Sequence, residues 1–286
     1  MRPEWLNPAA YPFKAYWFQT SGQSLHYLDE GKGAAIVMLH SLGTWSYLFR
    51  NQIKALMADH RCLVPDLPGH GFSNSTQKAL GWREELALLG DWIADTVKGN
   101  FVLLGHGTGG LWAQHLVDRF AERLDALVLL NSWAWSTREH KAFRPQRFWY
   151  QNALGRWWQA RTNQLLISQL KKGGLRTTDA AYFAQFPDKS SRLALADRVA
   201  MTRKNVDLQS PPRLHASLPC LIIEGKKDPF RTPDSQQRWQ QKFPQASYFL
   251  QPKVKHYLPE SPETYLLPHL EHFLQSIYTP SSNSHA

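Results

Sequence analysis

One short pattern in this chain has the spacing of a nucleophile site but a glycine at its centre. The stretch Gly105-His106-Gly107-Thr108-Gly109 follows an apolar run and opens a helical pattern, with the spacing G-x-Nu-x-G. A Ser, Asp or Cys at the central position would attack a carbonyl or another carbon atom. Glycine adopts the positive φ of such a turn freely, whereas another residue there carries strain of about 1–3 kcal/mol. The residues therefore predict that the backbone turn is retained, whereas nucleophilic attack by a side chain at its centre is lost or altered.

The elements that would hold this turn alternate between buried strands and helices. This alternation predicts an α/β fold, with a mostly parallel sheet and helices on both of its faces. The predicted strands are 14–18, 24–28, 34–39, 61–64, 101–104, 126–130, 218–224 and 247–250, the first two forming a hairpin. The predicted helices are 47–57, 84–96, 111–120, 233–242 and 262–277.

A basic segment interrupts the alternation after the sixth predicted strand. Residues 136–215 contain 15 Lys or Arg and 5 Asp or Glu, whereas the whole chain has 33 and 23 and a net charge of +10. This segment carries the entire net charge, and its helical stretches are rich in Trp, Arg and Gln. We expect an inserted helical cap at 136–215, a core formed by 1–135 and 216–278, and a flexible tail at 279–286.

The composition is typical of a soluble globular protein, with 43% hydrophobic and 20% charged residues. No apolar run approaches the roughly 20 residues of a membrane span, and residues 1–13 lack the apolar stretch of a signal peptide. Cys62 and Cys220 fall in predicted core strands without metal-ligand spacing, so we expect two small buried hydrophobes. These features predict a cytoplasmic protein with no metal or cofactor, and no recognised module suggests binding to nucleic acid.

Several motifs, in their order along the chain, resemble those of the α/β-hydrolase superfamily. They are 40–50 (HSLGTWSYLFR), 66–73 (DLPGHGFS), 105–110 (GHGTGG), 131–135 (NSWAW), 225–230 (GKKDPF) and 255–260 (KHYLPE). The resemblance covers most of the chain and implies the α/β-hydrolase fold with a helical cap. Residues 27–31 (YLDEG) and 186–188 (FPD) are similar to the haloalkane dehalogenase and epoxide hydrolase branch.

The resemblance implies a site with His256 as general base, Asp228 as the group that orients its imidazole, and Gly107 at the vacant nucleophile position. Considered separately, His256 would be a loop histidine and Asp228 a turn aspartate. Both lie just past a predicted strand end, however, so both belong at the carboxyl edge of the sheet, where such sites form.

The same resemblance implies the groups that surround a substrate. The backbone N–H groups of Leu42 and Thr108 are the expected oxyanion hole, because backbone donors survive a change of side chain. Thr108 is a poor substitute nucleophile, since it is β-branched and lies off the apex of the turn. Ser41 is expected close by, although no motif places it as a nucleophile. The remaining expected binding residues are His40 and Trp133.

Departures from the family pattern restrict the chemistry. Haloalkane dehalogenases hold halide with an Asn and a Trp at the positions of Leu42 and Thr108, and both they and epoxide hydrolases need Asp at position 107. Three interpretations stay open. In the first, the chain hydrolyses an ester, thioester or similar small substrate with water activated by His256. In the second, it binds a ligand without catalysis. In the third, Gly107 replaces the Ser or Asp of an inactivated hydrolase. The retained His256 and Asp228 favour the first.

The predicted cap interleaves basic and aromatic side chains. They are Arg138, Lys141, Arg144, Arg147, Phe148, Trp149, Tyr150, Arg156, Trp157, Trp158, Arg161, Lys171, Lys172 and Arg176. One interpretation is a solvated helical face whose aromatic rings pack on the core. Another is a lid that steers an anionic substrate, and a third is peripheral contact of residues 156–172, including Leu165, Leu166, Ile167 and Leu170, with an anionic membrane.

Overall fold

The computed structural model describes residues 3–20, 22–73, 80–136, 148–149, 152–175, 180–204 and 217–278, and its centre is an eight-stranded sheet. The strands are β1 Ala15–Thr20, β2 Gln23–Glu30, β3 Ala34–Leu39, β4 His60–Pro65, β5 Phe101–His106, β6 Leu124–Leu130, β7 Cys220–Gly225 and β8 Ser247–Gln251. Their order is β1-β2-β4-β3-β5-β6-β7-β8, and the pairs from β4 to β8 are all parallel. The predicted α/β fold with a mostly parallel sheet is confirmed.

Helices cover both faces of the sheet. They are α1 Arg50–Leu56, α2 Trp82–Thr96, α3 Thr108–Leu116, α4 Ala153–Arg161, α5 Gln164–Lys172, α6 Lys189–Lys204, α7 Ser235–Lys242 and α8 Leu267–Tyr278. Successive strand residues point to opposite faces, so β3 divides its side chains between two cores. Ile36 and Met38 pack in the core that includes side chains of α1 and α8, whereas Val37 and Leu39 pack in the core that includes α2, α3 and α7.

The parallel strands all end at one edge of the sheet, and this geometry gathers the candidate residues. The loop after β3 begins at His40, the turn after β5 is Gly107, and Asp228 follows the end of β7. His256 lies in the loop that follows β8. Carboxyl ends of parallel strands are where α/β proteins build their sites, so the sheet positions four separate loops around one space.

The helices α4, α5 and α6 lie between β6 and β7 in sequence, and the segment that contains them contacts this edge. The indole Nε1 of Trp45 donates to the carbonyl of Ala181 at 2.9 Å. The backbone N–H of Tyr257 donates to the carbonyl of Gly173 at 3.2 Å. Residues 137–147, 205–216 and 279–286 lie outside the described residues, so the cap boundaries and the tail stay predictions.

Two local interpretations are corrected by the structure. The predicted helix 47–57 begins as a tight 3₁₀ turn, Ser46–Phe49, and becomes α-helical only at Arg50. The Ser46 N–H, at the start of this turn, donates to Asp66 Oδ1 at 2.8 Å. On α5, Leu166 and Leu170 are buried in the core instead of facing outwards, since their apolar face packs inward. No helix in the described part of the chain is long and apolar enough to cross a bilayer.

Candidate active site

The turn at Gly107 has the positive φ that its sequence pattern predicts. Gly107 has φ 54° and ψ −117°, and α3 begins at the next residue. Its N–H donates to the carbonyl of Leu130 at 2.9 Å, and its carbonyl accepts from Ser132 Oγ at 2.8 Å. A Cβ atom on Gly105 would lie 2.5 Å from Gly110 Cα, so glycine is required there for the close approach of helix to strand.

His256 and Asp228 form a buried pair beside this turn. His256 Nδ1 lies 2.9 Å from Asp228 Oδ2, and the other carboxylate oxygen accepts from the Phe230 N–H at 2.8 Å. A neutral imidazole that donates from Nδ1 carries its lone pair on Nε2. Nε2 lies 3.3 Å from the position that a Cβ atom would take on Gly107. The imidazole is therefore oriented to accept a proton from a group above Gly107.

Asn131 ties the two loops of this pair together, and it is absent from the site predicted by sequence. Its Nδ2 donates to the carbonyls of Lys255 and His256, at 2.9 and 2.5 Å, and its Oδ1 accepts from the Gly225 N–H at 2.6 Å. It has a positive φ of 44°, which Asn tolerates better than most residues. An Asn directly after the predicted strand 126–130 is the signal that could have identified it.

A second histidine, His106, supports the loop of His256 and was also missed. Its Nε2 donates to the His256 carbonyl at 2.9 Å, and the two rings are 5.0 Å apart. Burial, followed by the electrostatic interaction with the neighbouring His256, lowers the pKa of His106 well below its usual value. His106 is thus a neutral structural donor behind the candidate base.

Ser41 fills the space that a side chain at position 107 would need. The Cβ position on Gly107 lies 2.6 Å from Ser41 Oγ and 3.1 Å from Ser41 Cβ. The Ser41 Oγ lies 3.4 Å from both the backbone nitrogen and the Oγ1 of Thr108. The hydroxyl therefore lies beside the first amide of α3, between the vacant position and the helix N-terminus.

These groups surround a cavity of about 30 Å³, room for one or two water molecules. Five of the predicted site residues line it, and four further residues complete the wall. The predicted residues are Ser41, Leu42, Thr108, Trp133 and His256, and the further ones are Gln169, Val199, Phe230 and Tyr257. None of these nine side chains is a Lys or Arg, so the wall itself offers no cation to an anionic substrate.

His40 lies behind the wall and not in it. Its Nε2 accepts from the Leu67 N–H at 2.8 Å, and its Nδ1 donates to the Ser41 carbonyl at 2.9 Å. Burial lowers the pKa of His40 to about 4, so the ring is neutral and links two loops. Its contacts support a positioning role, and its role in binding stays a prediction.

The described residues contain no group of three or more His, Cys, Asp or Glu side chains arranged to hold a metal ion. The two cysteines are buried and unpaired, as their strand positions predict. Burial raises the pKa of the Cys62 thiol to about 12, so Cys62 is a poor nucleophile.

Comparison with known proteins shows the family to which the chain belongs. The model of the alpha/beta hydrolase family matches residues 36–266, which include every loop described above. The chain belongs to the α/β-hydrolase family. The resemblance inferred from motifs is therefore confirmed.

Relatives of this α/β-hydrolase include enzymes of different chemistry. A cis-3-alkyl-4-alkyloxetan-2-one decarboxylase of Shewanella oneidensis is 26% identical over 94% of this chain and 90% of its own length. Haloalkane dehalogenase 2 of Mycobacterium tuberculosis is 33% identical, but the match covers 48% of this chain and 49% of that enzyme. The structure of haloalkane dehalogenase DatA from Agrobacterium tumefaciens aligns with a TM-score of 0.83 and 20% identity over 95% of this chain and all of that one. That alignment supports the fold.

Proposed function

We propose that this α/β-hydrolase cleaves small, uncharged esters, with His256 as general base and Asp228 as the residue that orients it. The observation that carries this proposal is the direction of the imidazole. Its Nδ1 is held by a buried carboxylate at 2.9 Å, while Nε2 faces the position above Gly107. An O–H nucleophile placed there loses its proton to Nε2 as it attacks the ester carbonyl.

The first amide of α3 supplies electrostatic support for this reaction. Thr108 lines the cavity and is the first residue of a nine-residue helix, so its backbone N–H lies at the positive end of the helix dipole. A carbonyl oxygen that gains negative charge during attack is stabilised by such a preorganised donor. This backbone group does not depend on the identity of residue 107, so its contribution survives the loss of the nucleophile side chain.

An ester fits the site better than a haloalkane or an epoxide does. Those two reactions need a carboxylate at position 107, which is glycine here, and Leu42 offers no side-chain donor to a halide. The wall carries no Lys or Arg side chain to pair with a charged group, which favours an uncharged substrate. The decarboxylase relative is named for an oxetan-2-one, a four-membered cyclic ester with alkyl substituents. We therefore place strained lactones beside open esters and thioesters in the substrate class.

Any such substrate must part the helices that cover the cavity. The volume of about 30 Å³ holds one or two waters, whereas typical ligand pockets measure roughly 300–1,000 Å³. Gln169 on α5 and Val199 on α6 close the wall on the side of the helical segment. Displacement of these two helices is therefore part of the proposed catalytic cycle.

A panel of substrates tests the proposal. The full chain is assayed with 4-nitrophenyl acetate, an acetyl thioester, a dialkyl β-lactone and 1-bromobutane, beside His256→Ala and the double variant Ser41→Gly/Gly107→Asp. We expect the unaltered chain to turn over at least one ester but not bromobutane, and His256→Ala to lose that activity. Turnover only by the double variant would establish the alternative, a silent binding protein whose chemistry was lost with the residue at position 107.

We also propose peripheral contact with anionic membranes through α4. Its Leu154, Trp157 and Trp158 are 60%, 54% and 42% exposed, and the Arg161 guanidinium lies 4.3 Å from the centre of the Trp157 ring. Exposed tryptophans beside basic groups are typical of helices that lie on a lipid surface. This face replaces the α5 face, whose leucines point into the core.

A further inference from the structure

We propose that Ser41 Oγ is the nucleophile of this enzyme and has taken over the role of the missing side chain at position 107. The inference rests on the proposed function and names the oxygen that His256 activates. Ser41 comes from the loop after β3, whereas the usual nucleophile position lies after β5. The two strands are neighbours in the sheet, so their loops meet at one point.

Ser41 Oγ lies close to both the vacant position and the candidate base. A Cβ atom on Gly107 would lie 2.6 Å from Ser41 Oγ and 3.3 Å from His256 Nε2. The hydroxyl and the unprotonated nitrogen therefore border the same small space, and both line the cavity. A side chain at position 107 would separate them, so the glycine opens the path between serine and histidine.

Among the residues that the structure describes, the Ser41 hydroxyl is also held only by long hydrogen bonds. Its polar neighbours within reach are the nitrogen and the Oγ1 of Thr108, each at 3.4 Å, and the usual hydrogen-bond lengths for such groups are shorter. The proposed attack requires rotation about the Cα–Cβ bond of Ser41, which would turn Oγ from Thr108 towards His256. The Thr108 N–H is then free to receive the carbonyl oxygen of an ester.

Other hydroxyl groups near the turn are less suited to attack. Ser132 Oγ is committed to the Gly107 carbonyl at 2.8 Å. Thr108 carries a β-branched side chain on the first residue of α3, which restricts its rotation. Ser41 alone among these three combines a place in the cavity wall with a hydroxyl that makes no short hydrogen bond within the described residues.

The reaction balances with these groups and water. Ser41 Oγ forms a bond to the ester carbonyl carbon as His256 Nε2 takes the hydroxyl proton. The bond from that carbon to the alkoxy oxygen then breaks, and the imidazolium gives its proton to the leaving alcohol. Water attacks the acyl-Ser41 ester with His256 again as base, which releases the carboxylic acid and restores the serine.

Trapping of the acyl-serine tests this proposal. The full chain is reacted with 4-nitrophenyl acetate under rapid quench and, separately, with diethyl 4-nitrophenyl phosphate, and peptide mass spectrometry locates the adduct. The variants are Ser41→Ala, Ser41→Gly and His256→Ala. Ser46→Ala is the matched control, because Ser46 is a buried serine of the same loop region whose Oγ pairs with Tyr11 at 2.6 Å.

The proposal predicts an adduct on Ser41 that persists in Ser46→Ala. It also predicts that both Ser41 variants and His256→Ala lose at least ~10²-fold in kcat/KM for the ester. Ester turnover that needs His256, persists in both Ser41 variants and leaves no adduct would overturn the role of Ser41 but leave the proposed function intact. Neither turnover nor adduct in the unaltered chain would overturn both.

Discussion

At the scale of single residues, Ser41 and Gly107 are complementary. The hydroxymethyl group of Ser41 lies where a side chain at position 107 would stand, with Cβ and Oγ 3.1 and 2.6 Å from the missing Cβ. Substitution of either residue therefore depends on the other. A side chain restored at position 107 needs both a backbone that tolerates φ 54° and a vacated space.

A double-mutant cycle checks this coupling. A residue other than glycine held in a strained backbone conformation typically costs about 1–3 kcal/mol. We predict that Gly107→Ala lowers the free energy of unfolding by more than this amount, because Ser41 must also move. In a Ser41→Gly background the same change should cost less, with a coupling of at least ~0.5 kcal/mol measured by urea unfolding. Strictly additive effects would show that Ser41 does not occupy this space.

Acid sensitivity is predicted from His40. Burial lowers the pKa of His40 from 6.5 to about 4 in the folded chain, so between these values the unfolded chain binds a proton that the folded chain does not. Stability should therefore fall as pH drops from 6.5 to 4, with up to about 3 kcal/mol from His40. His40→Gln should flatten this slope in urea titrations. The exposed His272→Gln is the control, and equal slopes in both variants would refute the assignment.

At the scale of elements, the site depends on how three loops are joined. Asn131, at the end of β6, donates to the His256 loop and accepts from Gly225 at the end of β7. One residue thus fixes the loops that carry both members of the His256–Asp228 pair. It acts through its neighbours and is a positioning residue.

Two variants of Asn131 separate its hydrogen bonds from its backbone. Asn131→Gly keeps the positive φ but removes three hydrogen bonds, and we predict a loss of about 2–3 kcal/mol in stability. Asn131→Ala adds roughly 1–2 kcal/mol of backbone strain. Both should lower kcat for the ester more than they raise KM, because the base is misoriented. Unchanged kcat in Asn131→Gly would contradict the positioning role.

The sequence predicts elements better than contacts between them. Buried runs such as 34–39 are read directly from their residues, and β3 has the predicted bounds, Ala34–Leu39. The loop contacts of Asn131 and the position of Ser41 Oγ depend on how strands adjoin in space, which no local pattern records. The inward face of α5 was missed for the same reason, since burial on the core and on a lipid surface favour the same leucines.

At the scale of the whole molecule, the basic helical segment exposes aromatic rings on α4. We predict that the chain sediments with vesicles of phosphatidylcholine and phosphatidylserine, and less with phosphatidylcholine alone or at high salt. Trp157→Ser/Trp158→Ser should weaken this binding at least tenfold. Trp17→Ser is the control, because Trp17 is 51% exposed on β1. Equal binding by both variants would exclude α4 as the contact.

We propose that this α/β-hydrolase retains catalysis although its nucleophile position is Gly107. The most direct measurement is kcat/KM for 4-nitrophenyl acetate in the unaltered chain and in His256→Ala, with His272→Ala as an exposed histidine control. We expect turnover that falls by ~10²–10⁴-fold in His256→Ala, the range of general-base catalysis, and is unchanged in His272→Ala. Equal rates in the unaltered chain and His256→Ala, or none above the uncatalysed reaction, would contradict it.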